Sequence, residues 1–341
     1  MIKFFQKIRF DLMVKNKTGK YFKYAIGEII LVVIGILIAL SINNWNESRK
    51  AHDKTELLLK QVHKELAFNI DKANNVIERY RQTDTLIYNV LHKKVTYHDY
   101  KSNLKYVTLM RGTTEANLVN DAFTTLIDNQ GIINLEQDSI IEKLRYLYGT
   151  DKREVDLMDA YTVNNVINKI KKLGTNGWLY DNHVNKEASD EQITYYLTDS
   201  SYLGEVTEYK IRHLLDHNRY ALIFRNHAID IYNALSDYLK IKKDTSIVKD
   251  LKDYQHYLGT YVSDNETVNS EITIKNNHLV MLWKHIKDTT RFGERKLYPE
   301  TKTNFTFPTK AFGKLVYDEN KEVSGFIWSV GNERQAFKKI K

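Results

Sequence analysis

The stretch YAIGEIILVVIGILIALSI, residues 24–42, constrains this chain more than any other. Twelve of its 19 residues are Ile, Leu or Val, and no polar side chain interrupts it between Glu28 and Ser41. As a helix it is roughly 28 Å long, close to the hydrocarbon thickness of a bilayer, about 30 Å. Its aliphatic residues contribute roughly −4 to −7 kcal/mol to insertion. One carboxylate at mid-membrane costs perhaps +3 kcal/mol, and Glu28 sits only about 6 Å from Tyr24 along the helix axis, so insertion wins. A soluble core helix would carry a polar face, and this segment has none. A cleaved signal has a short basic head and a small-residue cleavage site. Here the head exceeds 20 residues and no A-x-A follows. The sequence therefore predicts an uncleaved signal anchor across residues 24–42, with the lipid bilayer as its first partner.

Charge sets the expected orientation. Before Tyr24 stand Lys3, Lys7, Arg9, Lys15, Lys17, Lys20 and Lys23 against Asp11 alone, so six of the eight net positive charges lie in residues 1–23. After the span, Arg49, Lys50 and Lys54 are offset by Glu47, Asp53 and Glu56. Positively charged flanks stay cytoplasmic, which sends everything from about Asn43 onward to the other side. Tyr21, Phe22 and Tyr24 mark one interface and Trp45 the other. The same distribution argues against nucleic acid as a partner, because the remainder of the chain is nearly neutral. Glu28 has two readings: a carboxyl paired to a partner helix, or a side chain snorkelling toward the Lys20 or Lys23 interface. Gly35 and Ala39 form a small-xxx-small pair that lets two spans approach.

The run YAIGEIILVVIGILIALSINNWNE with its basic head MIKFFQKIRFDLM resembles the N-terminal hallmark of an uncharacterised, domain-of-unknown-function family of bacterial single-pass membrane proteins. A second stretch, AFTTLIDNQGIINLEQDSIIEKLRYLYG at 122–149, is similar to a segment of the same family. The resemblance covers roughly residues 1–240. It implies an anchored helical domain and brings no catalytic residue; together with the charge distribution, this predicts a bacterial inner (cytoplasmic) membrane protein, N-terminus cytoplasmic and C-terminal domains periplasmic.

Beyond Trp45 the pattern is helical. Leu59, Val62, Leu66, Ile70, Ala73, Ile77, Tyr80, Ile87 and Leu91 recur at three and four, one stripe of a helix reaching about Lys93. A second helix is expected from about Thr114 to Asp128, broken by Asn129-Gln130-Gly131. A third begins near Gln137 and stops at Lys171, Lys172 and Gly174. Thr175–Gly204 reads as irregular, and a fourth helix as spanning about Glu205 to Lys240. Four amphipathic helices with short links predict an antiparallel bundle over 43–245.

From Asp253 the period changes to two. HYLGTYV, EITIK, HLVMLWK, RKLYP, NFTFP, GKLVYD, VSGFIWSV and RQAFKKI read as eight short strands, with breaks at Asn276-Asn277, Glu319-Asn320-Lys321 and Gly331-Asn332. They predict a small antiparallel β barrel or curved sheet over 250–341, and for the whole chain an α+β fold. The residues Tyr257, Gly259, Tyr261, Asn277, Leu279, Leu297 to Thr301, Phe305, Asp318 to Asn320, Val323 and Gly325 resemble the lipocalin-like accessory domain found behind serine β-lactamase-type hydrolases. In that setting the domain is non-catalytic.

The resemblance prompts a search for the hydrolase. S-x-x-K occurs at Ser102–Lys105 and Ser246–Lys249, Y-x-N at Tyr180–Asn182 and K-T-G at Lys17–Gly19. The chemistry needs the serine and lysine on a helix facing a sheet edge that carries K-T-G. K-T-G falls on the cytoplasmic flank of the span, and no α/β pattern surrounds either serine. His213 and His217 are spaced i, i+4, with His227 on a related face, a spacing that lets two imidazoles share a metal. There is no H-E-x-x-H and no third ligand, and the alternative is core histidines with hydrogen-bond partners. No cysteine is present, which removes thiolate chemistry, and no Gly-rich phosphate loop occurs. The sequence assigns no catalytic, cofactor-binding or metal residue and no cofactor. It predicts a non-enzymatic, membrane-anchored interaction or scaffold protein holding a protein partner or a second copy of itself. The alternative is a ligand-sensing ectodomain that works through a separate transducer, since 23 cytoplasmic residues are too few for an output domain.

Overall fold

The computed structural model describes Phe10, Val14 and residues 18–129, 138–308, 311–330 and 333–340. The chain divides into two units, Met1–Leu58 with Leu126–Glu136, and Leu59–Thr125 with Gln137–Lys341. The helix α1, Thr18–Leu91, contributes its N-terminal part to the first and its C-terminal part to the second.

Two halves of α1 meet different surroundings. In the first unit, residues 29–44 are all exposed, although Ile29 to Ile42 are almost wholly aliphatic. In the second, Leu59, Val62, Leu66, Ile70, Ala73, Ile77, Tyr80 and Ile87 are no more than 2% exposed, so the stripe read from the sequence forms a core face.

After α1 the chain continues with α2 (Tyr97–Ser102), α3 (Leu104–Val107), α4 (Asp121–Asp128), α5 (Asp138–Tyr146), α6 (Lys152–Thr175), α7 (Trp178–Tyr180), α8 (Asp190–Thr198), α9 (Ser200–Tyr209) and α10 (Asn218–Tyr238). Wide π turns at Leu147–Asp151 and Lys210–His217 join α5 to α6 and α9 to α10. A capping box starts α2: the Thr96 hydroxyl accepts from the Asp99 N–H while Asp99 accepts from the Thr96 N–H.

Two helical expectations are corrected. The helix expected from Thr114 begins only at Asp121, and residues 113–120 are extended or irregular. Their backbone finds partners in buried side chains of distant helices. Asn69 on α1 donates to the Val119 carbonyl at 2.7 Å and accepts from the Val119 N–H at 3.0 Å, as a neighbouring strand would. Asp159 on α6 accepts from the N–H groups of Ala116 and Asn117, and Tyr209 donates to the Gly112 carbonyl. Asn117 takes a positive φ of 47°, which Asn tolerates. Glu65 then accepts from the N–H groups of Ala122 and Phe123 at the start of α4. Thr175–Gly204, expected to be irregular, is largely helical: Gly177 at φ 77° turns the chain, and Ser189 and Asp199 cap α8 and α9. These helices are too short to show a periodic stripe. A Trp178, Tyr195, Tyr196 and Tyr202 ring cluster packs them instead.

The C-terminal part is a closed barrel of eight antiparallel strands in chain order: β1 (Gly259–Ser263), β2 (Val268–Lys275), β3 (His278–His285), β4 (Phe292–Pro299), β5 (Asn304–Thr306), β6 (Phe312–Tyr317), β7 (Val323–Val330) and β8 (Glu333–Lys339). Pairing of Tyr261 with Lys339 and Ser263 with Phe337 closes it. Asn276 and Asn277, both at positive φ, make the two-residue β2–β3 turn. The interior is packed with side chains: Tyr257, Tyr261, Phe305, Phe307, Phe326 and Phe337 join Ile272, Leu279, Met281, Leu297 and Leu315 in one cluster. Gly313 lies where the Phe305 ring fills the space of a Cβ, and at Gly325 the Phe337 carbonyl oxygen fills that space.

Barrel and helices share buried polar contacts within the second unit. Arg225 on α10 donates to the Thr306 hydroxyl at 2.9 Å and ion-pairs with Glu300 at 2.6 Å, and Glu300 also pairs with Arg81. Asn226 donates to the Phe307 carbonyl. Burial pulls the Arg225 guanidinium down to about 9.

Candidate functional site

The histidines singled out by spacing stand in three separate environments. His217, fully buried at the end of the second π turn, accepts from the Tyr80 hydroxyl at 2.7 Å through Nδ1 and donates to Asp159 at 2.7 Å through Nε2. Burial raises the Tyr80 hydroxyl far above its ordinary range, so it stays a donor. His213 is equally buried, yet neither ring nitrogen has a partner, and its ring stacks on Tyr209 at 4.0 Å. Burial, then His217 and Lys169, pushes the His213 imidazole down to about 3, so it is neutral. His227 Nδ1 lies 2.6 Å from Asp151, whose hydrogen bond raises that imidazole. Among the described residues no three His, Cys, Asp or Glu side chains come together in a metal-holding group. Of the i, i+4 pair, His217 stands in a hydrogen-bond chain and His213 in a ring stack.

The hydrolase-like motifs are likewise spent locally. The Ser102 hydroxyl donates to the His98 carbonyl and Lys105 lies exposed on α3. Lys249 donates to the carbonyls of Thr245 and Ser246. Tyr180 is exposed, whereas Asn182 is buried, donates to Gln192 and the Glu187 carbonyl, and accepts from Arg111. Lys17 of the K-T-G triplet lies outside the described residues.

The first site with the form of a functional surface is the apolar part of α1. It contains an 18-residue window with a mean hydropathy of 2.8, none of it buried. Among the described residues it is the one helix long and apolar enough to cross a membrane. Glu28 is half-buried, and open space surrounds Gly35.

The second is a cleft that the sequence did not reveal. Two cavities of about 460 and 650 Å³ adjoin where α10 faces the β2–β3 turn and β4, and they share Asp230, Asn233, Asn277, His278 and Lys296. Asp230 is fixed at one oxygen, which accepts from Lys296 at 2.8 Å and from the Tyr298 hydroxyl at 3.0 Å. The Asn233 side-chain oxygen is buried without a partner. Burial first, then Lys296, lowers the His278 imidazole, so it stays neutral near pH 7. These groups come from a helix and a hairpin more than 40 residues apart, each unremarkable within its own periodicity. The only local signal was Asn276-Asn277, which the sequence read as a turn.

No curated protein and no solved structure matches this chain. The family model described as "Family of unknown function (DUF6090)" matches residues 28–207, more than half of the chain, from within the exposed apolar helix to the last part of α9. The α10 helix and the barrel lie beyond the match, whereas Glu142, Lys143 and Tyr146 on the wall of the cleft lie within it. The chain belongs to the DUF6090 family, a family of unknown function.

Proposed function

We propose that this chain is a membrane-anchored interaction protein. Residues 24–42 cross the bacterial inner membrane once as an uncleaved signal anchor, the basic first 23 residues stay cytoplasmic, and the helical part, arranged as a bundle, stands in the periplasm with a lipocalin-like barrel. Its work is to hold a protein partner, or a second copy of itself, near the membrane surface.

One observation carries this reading. Along the continuous helix α1, Ile29 to Ile42 are exposed, while Leu59, Val62, Leu66 and Ile70 are buried. Leaving this many branched aliphatic side chains in water costs about 1.5–3 kcal/mol each relative to burial. A bilayer removes that cost; the polar turns from Asn43 onward then end the span.

The test is fractionation of cells expressing the full chain. The chain should sediment with membranes, resist carbonate extraction and dissolve in detergent. Crosslinking in the intact membrane should trap one stable species, whose mass separates a homo-oligomer from a heterologous partner. Recovery of the intact chain in the soluble fraction overturns the reading.

A second reading, a ligand-sensing ectodomain acting through a separate transducer, is favoured by the cleft beside α10. Native mass spectrometry of the full chain released from detergent tests it, with a stoichiometric small-molecule adduct as the supporting result.

A further inference from the structure

We infer that the cleft between α10 and the β2–β3 turn is a binding site for a neutral saccharide. The inference does not depend on where the chain sits relative to a membrane, because every residue in it belongs to the second unit.

Volume comes first. The larger cavity, about 650 Å³, falls within the roughly 300–1,000 Å³ of small-molecule sites, and the adjoining 460 Å³ extends it along β4. The polar groups then discriminate among ligands. The unpartnered oxygen of Asn233 is a buried acceptor, and leaving such a group unsatisfied costs about 1–3 kcal/mol. It calls for a ligand donor. Asp230 presents a second acceptor: Lys296 and Tyr298 both bond to its Oδ2, which fixes the carboxylate and leaves Oδ1 without a hydrogen bond among the described residues. Asn277 and the neutral His278 supply both donors and acceptors beside them. A purely apolar ligand would bury these groups unpaired.

Charge argues against an anion. Lys296 is neutralised by Asp230, and Lys243, on the wall of the smaller cavity, by Asp237 at 2.6 Å. In the larger cavity Glu142, Asp230 and Asp237 face Lys143 and Lys296, so that cavity offers no excess of positive charge to a phosphate or carboxylate, whereas Lys249 and Lys252 line the smaller one with Asp250. Geometry argues against a peptide. Strand addition needs a free sheet edge, and the barrel closes β1 on β8. The larger cavity has only Tyr146, Ile231 and Ala234 as apolar lining, and the apolar side chains Ile247, Val248, Leu251 and Leu297 lie on the wall of the smaller one.

A sugar meets all of these conditions. Each hydroxyl both donates and accepts, so adjacent hydroxyls satisfy a carboxylate and an amide together. Its C–H face needs an aromatic platform, and Tyr146, 56% exposed, lines the larger cavity.

The full chain, held in a detergent without a sugar headgroup, is titrated with maltose, cellobiose and chitobiose by saturation-transfer NMR and calorimetry. At least one should bind, and Asn233→Ala and Tyr146→Ala should each weaken it by about ten-fold or more at unchanged melting temperature. Asn233 is half-buried and Tyr146 is exposed, so neither change opens a core cavity. If one variant melts early, the other, together with the unaltered chain, decides. No transfer from any of the three sugars overturns the inference. So does binding of inorganic phosphate or of a blocked dialanine that Asn233→Ala abolishes, which would make the cleft an anion or peptide site.

Discussion

Replacing Asp159 by alanine tests the polar core of the helical part most severely. Asp159 is only 7% exposed and holds three donors at once. Its carboxylate accepts from the Ala116 N–H at 3.0 and 3.1 Å, from the Asn117 N–H at 3.1 Å and from His217 Nε2 at 2.7 Å. Ala116 and His217 are completely buried, so water cannot take over all three bonds without loosening the packing. A buried donor left unsatisfied costs about 1–3 kcal/mol. Allowing one position to be rescued by entering water, the variant should lose about 2–6 kcal/mol. For a unit of this size each kcal/mol lowers the melting temperature by about 2–4 °C, so the midpoint should fall by roughly 4–24 °C. The assay is thermal unfolding of the full chain in mild detergent, followed by near-ultraviolet circular dichroism. Amide exchange at Ala116 and Asn117 reports the same bonds locally and should accelerate before global unfolding. Asp159→Asn keeps the volume and one acceptor, and should fall about midway between parent and alanine variant. A midpoint for Asp159→Ala within about 1 °C of the parent, with Ala116 still protected, would refute the assignment of Asp159 as the clasp on residues 113–120.

Three further outcomes follow from contacts elsewhere. Glu300→Gln leaves Arg225 and Arg81 without their shared carboxylate inside the helix–barrel contact, and should cost about 3–5 kcal/mol in the same melt. Gly325→Ala forces a methyl group toward the Phe337 carbonyl, so the β7–β8 pairing must shift; loss of the barrel's aromatic ellipticity before the helical signal is the expected sign. His213 stays neutral in the folded chain down to about 3, while an unfolded imidazole takes up its proton near 6.5. The unfolded state therefore binds more protons between these values, and stability falls by roughly a few kcal/mol as pH drops from about 6.5 toward 3, with no contribution above that window. His213→Phe should keep the ring stack on Tyr209, flatten the acid limb of the melting curve, and leave the midpoint at pH 8 unchanged or raised. An acid limb as steep as the parent's would show that another group dominates.

The sequence was most legible where one rule acted alone. Residues 29–40 are uniformly apolar, and the stripe from Leu59 to Ile87 keeps one helical period, so hydropathy located both the exposed and the buried part of α1. In the barrel, period-two runs divided by Asn276-Asn277 and similar turns gave all eight strands in order, although only the β1–β8 pairing distinguishes a closed barrel from a curved sheet. Legibility failed where distant side chains took over the backbone's hydrogen bonding. Thr114 to Asn120 has helical spacing, yet Asn69 and Asp159 bind its backbone from other helices. It failed again at α7 to α9, where ring stacking and caps replace periodicity. His213 and His217 show the converse: a spacing suited to metal ligation serves a ring stack and a Tyr80–His217–Asp159 chain. The cleft was invisible because its walls, Asn233 on α10 and His278 and Lys296 on the barrel, become neighbours only through tertiary packing.

A single crossing of the membrane with the barrel outside the cytoplasm can be measured directly, because the chain has no cysteine of its own. A single Asp264→Cys, in the exposed β1–β2 loop, provides a unique thiol. In intact spheroplasts a membrane-impermeant maleimide should label it as fully as it does after lysis. Labelling that appears only once the membrane is broken would place the barrel in the cytoplasm and contradict the account.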